Sequence, residues 1–224
     1  MRGDMANSKQ PSLFDDDAAN ESVPQRIELP DGELTLYPHW ITDKQVAALF
    51  DQLEQQVPWE QSTIQMYGRP VQIPRLNAWF GDEGCDYQYS GYQLPLHPWL
   101  APLTELRQRL HQELGITTNS VLVNLYRNGQ DSVGWHSDDE PELGRDPVIA
   151  SISLGGERRF SLKHRRHKSV KPLHLSLPSG SLLVMSGQTQ HHWHHCLPKM
   201  QSMTEPRINL TFRQVFPGFR RSSK

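Results

Sequence analysis

The sequence predicts an α+β fold, mainly β with flanking helices, in which a double-stranded β-helix (jelly roll) follows N-terminal helices. Two amphipathic helical patterns lie before residue 119, and beyond it short extended runs replace the helical periodicity. Turn signals such as Asn128-Gly129 and Gly155-Gly156 separate these runs. Several short strands with helices confined to one end of the chain are typical of two packed sheets braced by helices.

Both predicted helices have recognisable ends. The first begins at Thr42, where Gln45 three residues later completes a capping box, and it stops before Pro58. The second has Pro102 in its first turn and Gly115 as its C-terminal cap. Apolar residues at helical spacing define one face of each helix, namely Val46, Leu49, Phe50 and Leu53 in the first and Leu103, Leu106, Leu110 and Leu114 in the second.

Eight strands are predicted after the helices, over residues 120–127, 132–138, 147–154, 158–163, 172–177, 181–185, 191–196 and 207–216. Because strand side chains alternate between two faces, Arg207, Asn209 and Arg213 share one face of the last strand. Asn124 and Tyr126 likewise share a face of the first. Solvent exposure is the usual explanation of such polar faces. A groove for an anion is the alternative for the arginines, since guanidinium pairs with a carboxylate through two hydrogen bonds.

The chain is expected to contain one domain with tails. Residues 1–25 are polar, with few aromatic residues and no periodicity, and are predicted to be a flexible tail. The N-terminal helices lie within residues 26–118, the jelly-roll core within 119–217 and a C-terminal tail within 218–224. The length of 224 residues suits a single compact domain over 26–217.

Composition limits the classes of partner. The formal net charge is −2, so nucleic-acid binding would need a local basic patch rather than a basic molecule. The two cysteines, Cys85 and Cys196, are expected to be free thiols in a reducing cytosol. The sequence shows neither a signal peptide nor an apolar stretch of membrane-spanning length. We therefore expect a soluble cytoplasmic protein that does not bind membranes.

His136-Ser137-Asp138 is the most informative tripeptide in the chain. On an extended segment its first and third side chains point to one side, and a histidine cluster follows at residues 191–195. Two histidines and one carboxylate form the facial triad that binds non-haem Fe(II) and leaves coordination positions open. His-x-Asp alone is common by chance, and Cys196 beside the cluster is a further candidate ligand.

Three segments add specificity. NSVLVNLYRNGQDSVGWHSDDEPELG, LPSGSLLVMSGQTQHHWHHCLPK and EPRINLTFRQVF together resemble the AlkB family of Fe(II)- and 2-oxoglutarate-dependent nucleic-acid demethylases. The resemblance covers about residues 62–216 and is greatest to the branch that includes the animal DNA-repair homologues. It implies oxidative demethylation of N-alkylated bases in DNA with O2, coupled to decarboxylation of 2-oxoglutarate and release of formaldehyde.

The resemblance also implies the ligands of the metal. His136 and Asp138 match the first two iron ligands of the family. The third follows a pattern of Trp, any residue and His, with Pro three residues later, and His195 fits it. His192 and His194 are the alternatives. These three residues, His136, Asp138 and His195, are therefore the predicted catalytic metal site.

A 2-oxoglutarate site is implied as well. In this family the co-substrate chelates iron through its keto and adjacent carboxylate oxygens, and its far carboxylate meets arginine. Arg207 and Arg213 fit that pair, with Arg207 as first choice for the far carboxylate. Asn124, Tyr126 and Asn209 match the remaining hydrogen-bond donors. On this reading the polar faces of the first and last strands line the inside of the barrel.

The segment PRLNAWFGDEGCDYQYSGY resembles the nucleotide-recognition segment of the family. Tyr87, Tyr89 and Ser90 match positions that line the base pocket in the repair branch, and aromatic residues stack readily on bases. Tyr89 is expected to stack on the flipped base, with the His136 ring on the other side. Arg75 is expected to contact this pocket or the nucleic-acid backbone.

Other charged residues are assigned to nucleic acid by the same resemblance. Asp139 would accept a hydrogen bond from the exocyclic amine of 1-methyladenine or 3-methylcytosine, which are cationic near neutral pH. Arg165, Arg166 and Lys168 lie in a predicted basic hairpin that would contact phosphates. Tyr67 would be the wedge that fills the gap left by a flipped base. Ordinary solvated surface is the alternative explanation for each.

The expected partner is single- or double-stranded DNA, and the protein is expected to act as a monomer. The same reaction on RNA, such as tRNA, is one alternative. A second is a 2-oxoglutarate oxygenase that acts on a protein or a small molecule, which would not need the tyrosine-rich segment. The third is a non-catalytic protein: a nucleic-acid binding module, or a jelly roll with structural zinc, which more often uses four ligands including thiolates.

Overall fold

The computed structural model describes residues 23–66, 68–85, 88–89 and 92–218. Its helices are α1 (Asp43–Gln56), α2 (Ala101–Leu114) and the one-turn α3 (Thr189–His192). Its strands are β1 (Gln25–Leu29), β2 (Gly32–Tyr37), β3 (Thr63–Met66), β4 (Arg69–Gln72), β5 (Leu76–Gly81), β6 (Gln88–Tyr89), β7 (Tyr92–Gln93), β8 (Leu96–His97), β9 (Ser120–Tyr126), β10 (Val133–His136), β11 (Ile149–Gly155), β12 (Arg158–His164), β13 (Leu173–Leu177), β14 (Leu182–Ser186), β15 (Trp193–Leu197) and β16 (Arg207–Arg213).

The ends of the two long helices follow from local chemistry. At the start of α1 the Thr42 hydroxyl accepts from the Gln45 backbone N–H, and the Gln45 side chain accepts from the Thr42 N–H, which confirms the predicted capping box. At the end of α2, Gly115 adopts φ 66°, and its N–H donates to the carbonyls of Leu110 and His111. Both predicted helices are therefore confirmed.

The strands form a jelly roll, as predicted. Eight strands make one sheet, here called the major sheet, in the order β1-β2-β14-β11-β16-β9-β5-β8. Four make the minor sheet, in the order β10-β15-β12-β13. The eight strands predicted from the sequence are β9 to β16, and each sheet contains four of them.

Two details differ from the sequence prediction. The major sheet is wider, because β1, β2, β5 and β8 from the earlier part of the chain extend both of its edges. Five of the six residues of β5 are buried, so this strand lacks the alternation by which a half-exposed strand is recognised. The predicted strand over 191–196 begins two residues late, because His191 and His192 belong to α3, the turn that leads the chain from the major to the minor sheet.

The core consists of two layers. One hydrophobic cluster packs α1 and α2 against the outer face of the major sheet and includes Ile208, Leu210 and Phe212 of β16. The other lies between the two sheets and includes Trp79, Leu122 and Leu162. Since side chains alternate along β16, its polar residues must point toward the minor sheet. They are buried there rather than solvated.

Two further expectations can be compared with the structure. Cys85 and Cys196 are both free thiols, and both are buried. Among the described residues, no helix is long and apolar enough to cross a membrane. The domain boundaries, the monomeric state and the cytoplasmic location stay predictions.

Candidate active site

Strand register brings two imidazoles together. In the minor sheet β10 and β15 are antiparallel, and His136 lies directly opposite His195. Residues that face each other in this way have Cβ atoms roughly 4.5–5.5 Å apart. The two ring centroids are accordingly 4.3 Å apart. Phe160, on the next strand, stacks on His195 at 5.3 Å between ring centroids and covers it from the apolar side.

Asp138 completes the group from just beyond the end of β10. One ligand atom from each of His136, Asp138 and His195 lies within 4.8 Å of the other two. The backbone N–H of Asp138 donates to Gln190 Oε1 at 2.9 Å, which fixes the turn after the strand. Asp138 Oδ2 also pairs with Arg213 Nη2 at 3.0 Å. The predicted convergence of the three residues is confirmed.

The protonation states suit a divalent metal ion. Burial by itself would raise the pKa of Asp138, but the positive charge and hydrogen bond of Arg213 contribute most to outweighing it, and that pKa is lowered to about 2. Burial lowers the pKa of His136 and lowers the pKa of His195 to about 3. At neutral pH the group is therefore one carboxylate and two neutral imidazoles. These are the donors that Fe(II) takes in a facial triad.

The hydrogen bond of His136 fixes its tautomer. Its Nδ1 lies 2.8 Å from the carbonyl oxygen of Gly134. Since a carbonyl can only accept, Nδ1 must bear the proton, and the lone pair is left on Nε2. His136 Nε2 faces Asp138 Oδ1 at 3.9 Å. This is the usual arrangement of a metal-bound histidine whose second nitrogen is held by a backbone group.

The alternative ligands lie elsewhere. His192 Nε2 is 3.2 Å from Gln188 Oε1, and His191 contacts the carbonyl of Arg145 and, at 3.2 Å, Asp146. His194 and Cys196 alternate with His195 along β15 and therefore point to the opposite face of the minor sheet. Burial raises the pKa of the Cys196 thiol, which also disfavours a thiolate ligand.

A second group of potential ligands consists of Asp31, His164 and His192. The Nδ1 atom of His164 accepts the backbone N–H groups of Arg166 and His167 at 3.2 and 2.9 Å. Nδ1 therefore has no proton, and in the neutral ring Nε2 must bear it. A protonated nitrogen cannot bind a metal ion, so this ring serves to hold the start of the β12–β13 hairpin.

The opposite wall of the cavity comes from the major sheet. Arg207 lies directly opposite Tyr126, and Asn209 opposite Asn124, on neighbouring strands β16 and β9. All five residues predicted to bind the co-substrate line one cavity together with the His-Asp-His group, namely Asn124, Tyr126, Arg207, Asn209 and Arg213. The polar faces predicted from β9 and β16 are thus inside the protein. Their binding roles stay predictions.

Arg207 has the properties of an anion-binding residue. The residue is 2% exposed, its guanidinium donates from Nη2 to Ser153 Oγ at 3.0 Å, and Nε has no hydrogen-bond partner among the described residues. Burial lowers the pKa of Arg207 to about 10, so it is still a cation at neutral pH. A buried cation is unfavourable unless an anion joins it. A dicarboxylate co-substrate would supply that anion, and the residues present fit 2-oxoglutarate.

Other polar residues of the wall are already engaged. Both donors of the Asn209 amide bind protein groups, the Ser151 hydroxyl and the Ile152 carbonyl, each at 2.9 Å. Asn209 therefore orders the wall, and its predicted role as a donor to the co-substrate would require these bonds to change. Arg75 Nε donates to Asn124 Oδ1 at 2.8 Å, which leaves the Asn124 amide NH2 group as a donor.

The predicted nucleic-acid residues are only partly described. Tyr67, Tyr87 and Ser90 lie outside the described residues, and Tyr89 is described only as part of β6. The strands β3 and β4 pair with each other in antiparallel fashion. Arg75 lines the cavity that contains the His-Asp-His group.

The basic hairpin connects β12 and β13, as predicted, and Arg166 and Lys168 on it are exposed. Arg165 is also exposed, but its Nη1 pairs with Asp139 Oδ2 at 2.8 Å. Arg165, which is predicted to contact phosphate, and Asp139, which is predicted to select the base, therefore form an ion pair with each other.

Three residues near the site were not predicted. Gln190 positions Asp138, Phe160 covers His195, and Arg158 donates to the carbonyls of Asn128, Asp131 and Pro198. Arg158 is fully buried behind Tyr126 and ties three loops together. Alternation on β12 places Arg158 and Phe160 on the same face as Leu162, so the sequence could have pointed to both of them, whereas Gln190 acts on a backbone group and leaves no pattern.

The fold and the site define a class of protein, and comparison with known proteins agrees. Residues 33–213 match the family described as the 2OG-Fe(II) oxygenase superfamily. The structure entitled "The structure of OsALKBH1" shares the fold, with a TM-score of 0.51 and 19% sequence identity over 85% of this chain and 100% of that one. The site is that of an iron- and 2-oxoglutarate-dependent oxygenase.

Within that class the chain belongs to the AlkB family. It is 43% identical to human alpha-ketoglutarate-dependent dioxygenase alkB homolog 3 over 190 residues, which are 81% of this chain and 66% of the relative. It is 39% identical to the mouse DNA oxidative demethylase ALKBH2 over 178 residues, 75% of this chain and 74% of the relative. The chain thus spans slightly less than two thirds of the human alkB homolog 3.

The choice of His195 as third metal ligand can be tested by binding alone. His195→Ala should weaken Co²⁺ binding, measured by anaerobic calorimetry, by more than about 100-fold, because losing a ligand costs more than the 10–100-fold typical of a residue that only orients one. His192→Ala and His194→Ala are the matched controls and should bind like the wild type. Loss of binding in either control with normal binding in His195→Ala would contradict the assignment.

The role of Arg207 can be tested by thermal stability. Arg207→Met approximates the length of the side chain and removes a buried charge that forms no ion pair among the described residues, so the free protein should be as stable as the wild type or more stable. Addition of 2-oxoglutarate with Mn²⁺ should raise the Tm of the wild type by mass action and should raise that of the variant far less. An equal rise of Tm in both proteins would show that a residue other than Arg207 binds the far carboxylate.

Proposed function

We propose that this protein is an Fe(II)- and 2-oxoglutarate-dependent dioxygenase that removes methyl groups from N-alkylated bases of DNA, such as 1-methyladenine and 3-methylcytosine. One observation supports it most directly. The His136-Asp138-His195 group and the buried guanidinium of Arg207, whose Nε has no hydrogen-bond partner among the described residues, face each other across one cavity, in a member of the AlkB family. The direct reversal of alkylation damage would release formaldehyde.

The residues of the chain have separable tasks in this reaction. Iron bound with 2-oxoglutarate and O2 supplies the oxidising chemistry. The ionised carboxylate of Asp138 would bind the metal. Arg213 keeps this carboxylate ionised and holds its orientation. Arg207 would hold the far carboxylate of the co-substrate, which fixes its orientation before the base arrives. Phe160, which stacks on His195, would shield one side of that imidazole from water.

His136 lies where the substrate base would enter. Its side chain is 26% exposed, whereas that of Asp138 is 3% exposed, so the imidazole forms the rim of the cavity. A base that is extruded from the strand can reach this rim, and a base whose pairing is blocked by methylation is extruded at lower cost. The predicted tyrosine on the other side of the base remains part of the proposal.

The Asp139–Arg165 ion pair offers a way to favour damaged bases. Both groups are about one-third exposed and lie 2.8 Å apart. A phosphate that binds Arg165 would leave the Asp139 carboxylate available to a cationic methylated base. Arg166 and Lys168, which are exposed on the same hairpin, would add phosphate contacts.

DNA is favoured over RNA by the relatives. The bovine, mouse and human proteins named DNA oxidative demethylase ALKBH2 are 37–39% identical to this chain over 176–184 residues. The same reaction on RNA is the second candidate. Action as a monomer in the cytoplasm is part of the proposal.

A direct assay tests the function. The purified chain with Fe(II), 2-oxoglutarate and ascorbate is given oligonucleotides that contain 1-methyladenine or 3-methylcytosine, as single-stranded DNA, duplex DNA and RNA, and products are read by mass. We expect loss of one CH2 unit from the DNA and equimolar formaldehyde, and no loss with Asp138→Ala. Faster demethylation of RNA than of DNA would make RNA the preferred substrate. Consumption of 2-oxoglutarate without demethylation of any oligonucleotide would contradict the proposed activity on nucleic acids.

A further inference from the structure

The side chain of Trp135 faces away from the cavity. Trp135 precedes the predicted metal ligand His136 on β10, where the register with β15 shifts between Val133 and His136. Its ring contacts Lys163, which alternates with the core residue Leu162 on β12 and therefore points to the outer face of the minor sheet. All six tryptophans of the chain lie in its described part, and Trp135 is the exposed one among them, at 43%. Single exposed apolar residues are common, so its surroundings decide its significance.

A cation is held over the exposed ring. Lys163 Nζ lies 4.3 Å from the centroid of the Trp135 ring. Lys163 is on β12, two strands away from β10 in the minor sheet, and it lies directly opposite His194 on the strand between them. Trp135, His194 and Lys163 thus lie together on the outer face of the sheet. We call this group of three residues the outer patch.

The charge around the outer patch is positive. Arg159 is exposed on the same face of β12 as Lys163, and the hairpin that continues β12 exposes Arg166 and Lys168. The nearby carboxylate of Asp139 pairs with Arg165. Cations beside an aromatic face are the combination by which proteins bind single-stranded nucleic acid without reading its sequence. A membrane or an apolar partner would need more apolar area than one indole ring provides.

The position of Trp135 on β10 limits which nucleotide of a bound strand it could contact. Among the described residues β10 is an edge strand of the minor sheet, so the inner and outer faces of that sheet meet along it. His136 faces the cavity, and Trp135, whose Cα is about 3.8 Å away, faces outward. A strand whose methylated base enters the cavity past His136 would therefore bring its next base to the other side of the same edge.

We propose that Trp135 stacks on the base next to the methylated nucleotide in the same strand, while Lys163 contacts its phosphate. This inference rests on the proposed function, because it takes the base in the cavity to be the substrate. It assigns to the outer face of the minor sheet a role in holding the strand, separate from the cavity that holds the methylated base.

The test measures binding without turnover. The full chain is loaded with Mn²⁺ and N-oxalylglycine, and its affinity is measured for single-stranded DNA with one 1-methyladenine among thymines. Loss of one stacked base corresponds to a change of about 5-fold to 150-fold in Kd. We expect a loss in that range for Trp135→Ala and a smaller loss for Trp135→Phe, which keeps a ring. Phe216→Ala, at an aromatic residue with 45% exposure outside the outer patch, is the matched control and should bind normally.

An abasic nucleotide identifies the stacked base. An abasic nucleotide is placed either on the 5′ side or on the 3′ side of the methylated nucleotide. We expect only one of these two oligonucleotides to bind the wild type more weakly. The same oligonucleotide should cause no further loss of affinity in Trp135→Ala. This coupling would support stacking at that position. Additive losses, or normal binding by Trp135→Ala, would overturn it. Because demethylation is assayed separately, a wild type that binds and couples but does not demethylate would instead count against the proposed function.

Discussion

The site depends on one buried ion pair between the two sheets. Asp138, which follows a strand of the minor sheet, meets Arg213 of the major sheet at 3.0 Å, with both side chains less than 5% exposed. Removing one partner of such a pair would leave an uncompensated buried charge. The pair therefore ties the turn after β10 to β16, and it keeps Asp138 ionised and aimed at the two histidines. The minor sheet supplies the two histidines, and the major sheet supplies the two arginines.

Register is the second constraint. His136 faces His195 within the minor sheet, and Arg207 faces Tyr126 within the major sheet. A slip of one residue in either pairing would turn these side chains to the opposite face. The apolar residues that alternate with them fix the register, because Ile208, Leu210 and Phe212 must remain in the core under the helices. The alternating sequence of β16 thus determines both the packing of the helices on the major sheet and the position of Arg207 in the site.

Much of this could be predicted from the sequence, and the failures have physical causes. Alternation grouped Arg207, Asn209 and Arg213 on one face, but it could not show whether that face met water or another sheet. That depends on the contact between distant strands. The histidine cluster could not be resolved by periodicity, because α3 ends within it and resets the alternation at Trp193. Gln190 binds a backbone group, which has no counterpart in a sequence pattern, and alternation on β12 turns Arg158 inward without showing which carbonyls it meets.

The central claim is that two imidazoles and one carboxylate bind a metal ion opposite an arginine that takes a dicarboxylate. The most direct measurement is a crystal structure with Mn²⁺ and N-oxalylglycine, in which anomalous scattering locates the metal. The account predicts one peak within coordination distance of His136 Nε2, Asp138 and His195, with the far carboxylate of the analogue on Arg207. A peak between Asp31, His164 and His192, or an analogue that does not reach Arg207, would contradict it.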